Sequence, residues 1–205
     1  MSSQDPLTQL ADEFERRPSC GKARSQIAKA ERTLGEFLLA FPYRREPTKI
    51  DDLARELVWR PGSAPGTMFY WMRHALADIG FIGERLDWAF ERASQKIEMF
   101  RSLLRLAVDD GRTLAEKVDG PWQEINGFGG DRVIAKKIIC CYYPELTLST
   151  FKIDDLRLFA ERLQIDLDPQ SNNQYAKSFE ELTPGEKWQF LNDSLLAENV
   201  PCQTF

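Results

Sequence analysis

The chain is poor in the residues that most often carry chemistry. Its 205 residues include one histidine, His74, and four cysteines. A lone histidine leaves a nucleophilic triad or a histidine metal site without partners, and in an aromatic-rich stretch it reads as a packed core residue. Cys20 and Cys202 lie near opposite ends, while Cys140 and Cys141 are neighbours on an expected helix. That spacing matches neither a zinc site nor a four-cysteine iron–sulfur loop. Adjacent cysteines on a helix point in different directions and suit no mutual disulfide, so buried thiols are expected. No Walker-type loop occurs. These gaps leave no metal and no cofactor to expect.

Long apolar runs and a basic excess are also missing. No stretch approaches the roughly 20 apolar residues that span a bilayer. The first ten residues lack the basic-then-apolar order of a signal peptide, so a cytoplasmic protein without a membrane partner is expected. Lys and Arg number 27 against 32 Asp and Glu, a net charge of -5. Coating nucleic acid by bulk electrostatics is thereby disfavoured, and any such contact must be local. Period-two alternation persists nowhere and no internal repeat appears, which argues against sheets and solenoids.

What is present is helical periodicity in a chain that is 42% hydrophobic, enough for one core or two small lobes sharing an interface. Leu7, Leu10, Ala11 and Phe14 predict a short helix over 7–17, ended by Pro18. Ile27, Ala30, Leu34, Phe37, Leu38 and Phe41 predict a longer one over 21–41, ended by Pro42. Pro47 and Thr48 open a third, with Ile50, Leu53, Ala54, Leu57 and Val58 on its apolar face. After a Pro/Gly loop over 60–66, residues 67–79 are apolar all round and belong in the core. Residues 86–108 predict one long helix or two shorter ones. Thr113 with Glu116, and Thr183 with Glu186, have capping-box spacing, and Ser149 or Thr150 is placed to cap a helix carrying Ile153, Leu156, Phe159, Ala160 and Leu163. Residues 166–178 read as a polar loop. The expectation is an all-α fold with lobes over 1–110 and 111–205, or one compact domain.

The most informative stretch is 122–143, WQEINGFGGDRVIAKKIICCYY. A short turn with Trp122 and Ile125 meets Asn126, Gly127, Phe128, Gly129 and Gly130, and a strongly apolar helix follows. Glycines there remove side chains that would hold a ligand away, so the amides opening the next helix can approach an anion. Asn126, Gly127, Gly129 and Gly130 supply the cradle in this reading. Arg132, Lys136 and Lys137 supply charge, and Phe128 plugs the turn into the core. Thr150 and Lys152, opening the following helix, reach the same strand.

This stretch resembles the helix-hairpin-helix element of DNA glycosylases, DNA ligases and many repair or restriction proteins. Ile125, Gly127, Phe128, Gly129, Ala135, Ile138 and Ile139 fill that family's pattern in order, and the interval from Gly129 to Ala135 is longer than usual. Either the hairpin is widened or Val133 takes the alanine's place. The resemblance implies sequence-independent binding to the DNA sugar-phosphate backbone, in repair, restriction or genome defence. Its glycosylase branch places a catalytic aspartate past the hairpin, which marks Asp154 and Asp155; acids in a first helical turn also serve the helix dipole. Tyr43, Arg44, Arg45 and Lys49 form a candidate extension of the surface, suited to phosphate contact or stacking. Two alternatives stand beside the DNA-binding reading: a diverged glycosylase or lyase acting on a flipped base, and a helical adaptor that binds a protein partner.

Overall fold

The computed structural model describes residues 20–62, 64–83, 86–168 and 174–197, and among them every regular element is helical. The helix expected over 7–17 lies outside the described residues, as does Cys202.

Helix α1 (Cys20–Ala40) turns Ala30, Leu34 and Phe37 inward, and Phe41 is buried just beyond its end. The helix expected from Pro47 to Val58 is split. Pro47–Ile50 is a single 3-10 turn, the chain extends at Ala54, and α2 (Arg55–Val58) begins after it. The cause is tertiary: the carbonyl of Leu53 accepts two bonds from the Arg101 guanidinium, at 3.0 and 3.3 Å, in place of a helical amide.

Helix α3 (Met68–Tyr70) is capped by Thr67, whose hydroxyl accepts from the Tyr70 amide at 3.1 Å, and widens into a π turn over Trp71–Ala75. Met68, Phe69, Met72 and Leu76 are buried, as their apolar run requires. His74 is exposed, contrary to the core position expected for it, because it stands two residues from both Met72 and Leu76, on the opposite side of the turn from that buried face.

Residues 87–108 form two helices, α4 (Asp87–Gln95) and α5 (Ile97–Val108). The break is at Lys96, whose Nζ reaches the Glu124 carbonyl at 2.6 Å. Helix α6 (Leu114–Val118) opens on the Thr113–Glu116 capping box. It is followed by α7 (Val133–Tyr142), α8 (Ile153–Arg162) and α9 (Pro184–Ala197). The Thr183–Glu186 box opens α9, with Thr183 N to Glu186 Oε2 at 2.8 Å and the reverse bond at 3.1 Å. Neither Ser149 nor Thr150 caps α8. The residue before that helix is Lys152, which makes no capping bond, and the Thr150 carbonyl instead accepts the Trp188 indole at 3.2 Å. A further box, Ser178 with Glu181, lies at the edge of the stretch expected to be loop.

Helix α7 is central, flanked by α1, α5 and α6, while α9 packs across α6 and α8. Buried apolar side chains from Ala30 to Leu195 form one cluster. Among the described residues no helix is long and apolar enough to cross a membrane.

Candidate nucleic-acid interface

The hairpin runs from a 3-10 turn, Trp122–Glu124, through a glycine turn into α7. Its apolar residues are anchors. Phe128 is fully buried and stacks on Trp122, with ring centroids 6.2 Å apart and planes 4° from parallel, and it also meets Phe90 and Phe100. The rings hold the middle of the turn inward, with Gly127 and Gly129 half-buried and Gly130 at the surface. Gly127, at φ +96°, packs so closely that a Cβ would fall 2.6 Å from the Ala89 Cβ and 2.7 Å from the Trp88 ring. Gly130, at φ +60°, has open space where a side chain would stand.

Hydrogen bonding divides the turn's amides into two sets. Phe128 donates to Ile125 O at 3.0 Å and Arg132 to Gly129 O at 3.1 Å. The amides of Asn126, Gly127, Gly129, Gly130, Asp131 and Val133 find no acceptor among the described residues, and the last four lie together at the opening of α7. Gly130 and Asp131 are exposed and Gly129 and Val133 half-buried, so these donors lie at or near the surface.

The cationic side chains are arranged differently from the expectation. Lys136 is 1% exposed and Lys137 fully buried, so neither stands on the surface. Lys136 Nζ donates to Phe151 O at 2.9 Å; burial draws its pKa down to about 8, against the opposing pull of the Asp131 and Asp119 carboxylates. Lys137 Nζ donates to the carbonyls of Leu76 at 2.5 Å, Gly80 at 2.8 Å and Ile79. It neutralises the carbonyl end left by the π turn, a structural role. Arg132, at φ 54°, spends its guanidinium on Val118 O at 2.9 Å and the Asp119 carboxylate at 2.5 Å. A signal for the two lysines was present in the sequence. Ile134, Ala135, Ile138, Ile139, Cys140, Cys141 and Tyr142 cover α7 on all sides, and a helix without a polar face takes its lysines inside with it.

Other expected residues do come together. Lys152 is exposed and Thr150 half-buried, and both line a recess of about 410 Å³ with Phe81 and Val133. Lys152 also borders a second recess, likewise about 410 Å³, with Gly130, Asp131, Lys136, Asp154 and Lys187. The hairpin therefore lies between two concavities that share Lys152. Asn126 is exposed on the turn. Asp154 lines the second recess and Asp155 the first, both exposed in the first turn of α8, where acids suit the helix dipole.

The second basic cluster does not form a contact surface. Tyr43 is buried against Phe41 and Tyr142. Arg44 is held by Asp110 at 3.0 Å, by Glu145 and the Tyr142 carbonyl at 2.7 Å each, and lies over the Tyr143 ring. Lys49 pairs with Glu46 at 2.9 Å, and Arg45 alone of the basic residues stays exposed without such a role. Tertiary contacts have consumed the Arg44 charge, and Lys49 is held in a local pair at the surface.

Several features escaped the sequence reading. Lys117 is a third buried lysine, donating to Asp109 O, to Arg112 O at 3.1 Å and to the Tyr143 hydroxyl at 3.2 Å. Phe81 and Trp88 are 59% and 43% exposed, and both adjoin the hairpin. Phe81 stands between Gly80 and Gly83, and Trp88 lies outside the inward set of Ala89, Phe90 and Ala93, so their exposure was in principle legible. Cys140 and Cys141 are free and buried, and burial pushes both thiols up, which keeps them protonated. A cavity of about 580 Å³ runs along α1 beside Ile27, Ala30, Leu34 and Cys140. No aromatic side chain lines it, unlike the aromatic groove expected of an adaptor.

No known family, curated protein or solved structure matches the chain. The functional reading therefore stands on the geometry of this molecule and on the resemblance of its hairpin segment.

Proposed function

We propose that the protein binds nucleic acid locally and without regard to sequence, seating a backbone phosphate on the amides of Gly129, Gly130, Asp131 and Val133 as helix-hairpin-helix elements do. DNA is the partner that the resemblance implies, and repair, restriction or genome defence the setting. The observation that carries the reading is the set of unspent amide donors around a glycine with open space beyond it. Lys152 supplies neighbouring charge and Thr150 a hydroxyl beside it. Lys136 and Lys137 take no part as phosphate ligands, since both ammonium groups are turned to carbonyls inside the fold.

Gly130 allows a test separated from folding. Asn and Asp both tolerate the left-handed conformation it adopts, so Gly130→Asn and Gly130→Asp differ chiefly by one charge at the seat. A carboxylate about 4 Å from a phosphate oxygen costs roughly 1–4 kcal/mol between aqueous and surface dielectric limits. At low salt the wild type is expected to bind oligonucleotides, Gly130→Asn to stay within a few-fold, and Gly130→Asp to lose about tenfold or more. Equal binding by the two variants, or no binding by the wild type, overturns the proposal.

A second reading, base release by a diverged glycosylase, draws on Asp154 at the wall of a recess large enough for a small ligand. It requires base loss from a modified duplex that Asp154→Asn abolishes.

A further inference from the structure

The charge available at the hairpin is too small to grip a duplex. Exposed beside the turn are Lys152, Lys96 and the carboxylates Glu124, Asp131, Asp154 and Asp155; Lys96 is committed to the Glu124 carbonyl, half-buried Lys187 pairs with Glu180, and Lys136 and Lys137 are enclosed. Duplex binding through the backbone draws its affinity from several cations, each neutralising a phosphate. Lys152 is the one of these unburied lysines with no partner among the described residues, and a single free cation among four acids does not meet that need.

What adjoins the amides instead is aromatic surface. The Trp88 ring rests against Gly127 on the entry side of the turn and remains 43% exposed. The Phe81 ring, 59% exposed, walls the recess beside Val133 and Lys152 on the exit side. The Arg73 guanidinium lies 5.4 Å from the centre of that ring. Single exposed apolar residues are ordinary on a protein surface; the placement of two large rings on either side of a row of free amides is what decides here. In a duplex the base faces are covered by their neighbours. In an unpaired strand they are open, and aromatic side chains hold them whatever their sequence.

We infer that the strand seated at this hairpin is single-stranded or locally unpaired, with bases flanking the seated phosphate stacked on Trp88 and Phe81. The inference rests on the phosphate-seat reading and adds the form of nucleic acid to it. The recess of about 410 Å³ at Phe81 gives one base a concave site, with Lys152 at its edge for the next phosphate.

The test uses the full chain with a labelled mixed-sequence DNA oligonucleotide, presented alone and as a blunt duplex, at low salt. The single strand is expected to bind at least tenfold more tightly than the duplex. Trp88→Ala should weaken single-strand binding about tenfold and leave duplex binding within twofold. Phe81→Ala, at a more exposed site that keeps the test available if Trp88→Ala misfolds, should act in the same direction. Trp88→Phe should keep single-strand binding within about threefold while removing part of the tryptophan quenching seen on titration. Duplex bound as tightly as single strand, or no effect of either alanine variant, overturns the inference yet leaves the phosphate seat standing if Gly130→Asp still abolishes binding. Failure of the wild type to bind either form overturns both.

Discussion

Lys136, Lys137 and Lys117 each carry an ammonium into the interior, and the number of carbonyls around each separates them. Lys137 has three main-chain acceptors and Lys117 two together with the Tyr143 hydroxyl. Lys136 has one, which leaves it the least compensated for the loss of water. Its pKa falls from 10.5 to about 8, burial being the largest cause. Between those values the unfolded chain holds more protons than the folded one, so the cost of this buried cation is full at pH 7 and is relieved as pH rises from about 8 toward 10.5. Lys136→Met keeps the length without the titration. Relative to this variant, the wild type should gain about 1–2 kcal/mol in unfolding free energy between pH 7 and pH 9.5. Buried tyrosines such as Tyr142 titrate in both proteins and cancel. Urea melts at the two pH values showing a constant difference would remove Lys136 as a titrating group. These lysines were misread because helical spacing put Lys136 on one face with Arg132, a face that in the folded protein lies against Phe151.

At the scale of the element, the hairpin is shaped as much by what it rests on as by its own glycines. Phe128 and Ile125 are drawn down among Trp122, Phe90 and Phe100, which leaves Gly129, Gly130 and Asp131 with amides unspent. Gly127 is required for a different reason, the contact with Trp88 and Ala89 at a positive φ. Gly127→Ala combines left-handed strain with that collision and should lower stability by about 1–3 kcal/mol while shifting the tryptophan emission as Trp88 is pushed outward. A urea midpoint and spectrum identical to wild type would show that the close packing is absent in solution. Capping boxes at Thr113 and Thr183 were readable because each is a local pattern that closes its own hydrogen bonds. The splitting of 47–58 was not, since it depends on Arg101, 48 residues from Leu53 in the chain. The placement of Phe128 in the core followed from its position between glycines, whereas the partners that receive it are known only from the fold.

Across the whole molecule, α9 joins the hairpin region to the rest of the core. Trp188 is fully buried and bonded to Thr150 O, and Asp119 holds Arg132 at one end of the turn while accepting the Gly185 amide at 2.9 Å. The turn is thus clamped between α6 and α9. With a net charge of -5 and few exposed cations near the seat, affinity for nucleic acid should depend weakly on ionic strength. If Lys152 and Arg73 each neutralise about one phosphate, the slope of log affinity against log salt for a single strand should be about −1.4 and shallower than −2. Oligonucleotide titrations from 50 to 200 mM salt measure it; a slope near −5 would mean that a larger basic surface carries the binding.

Helical content, the capping boxes at Thr113 and Thr183, most of the inward faces of α1, α4 and α5 and the glycine turn itself were determined by residues close together in the chain, because propensity, periodicity and capping act over a few positions, whereas Phe159 and Leu57, expected to face inward, are exposed. Which charges remain free was decided by the tertiary structure alone. Whether a lysine meets water or a carbonyl depends on segments far away in sequence, and here those segments enclosed Lys136 and Lys137 and left Trp88 and Phe81 open beside the amides.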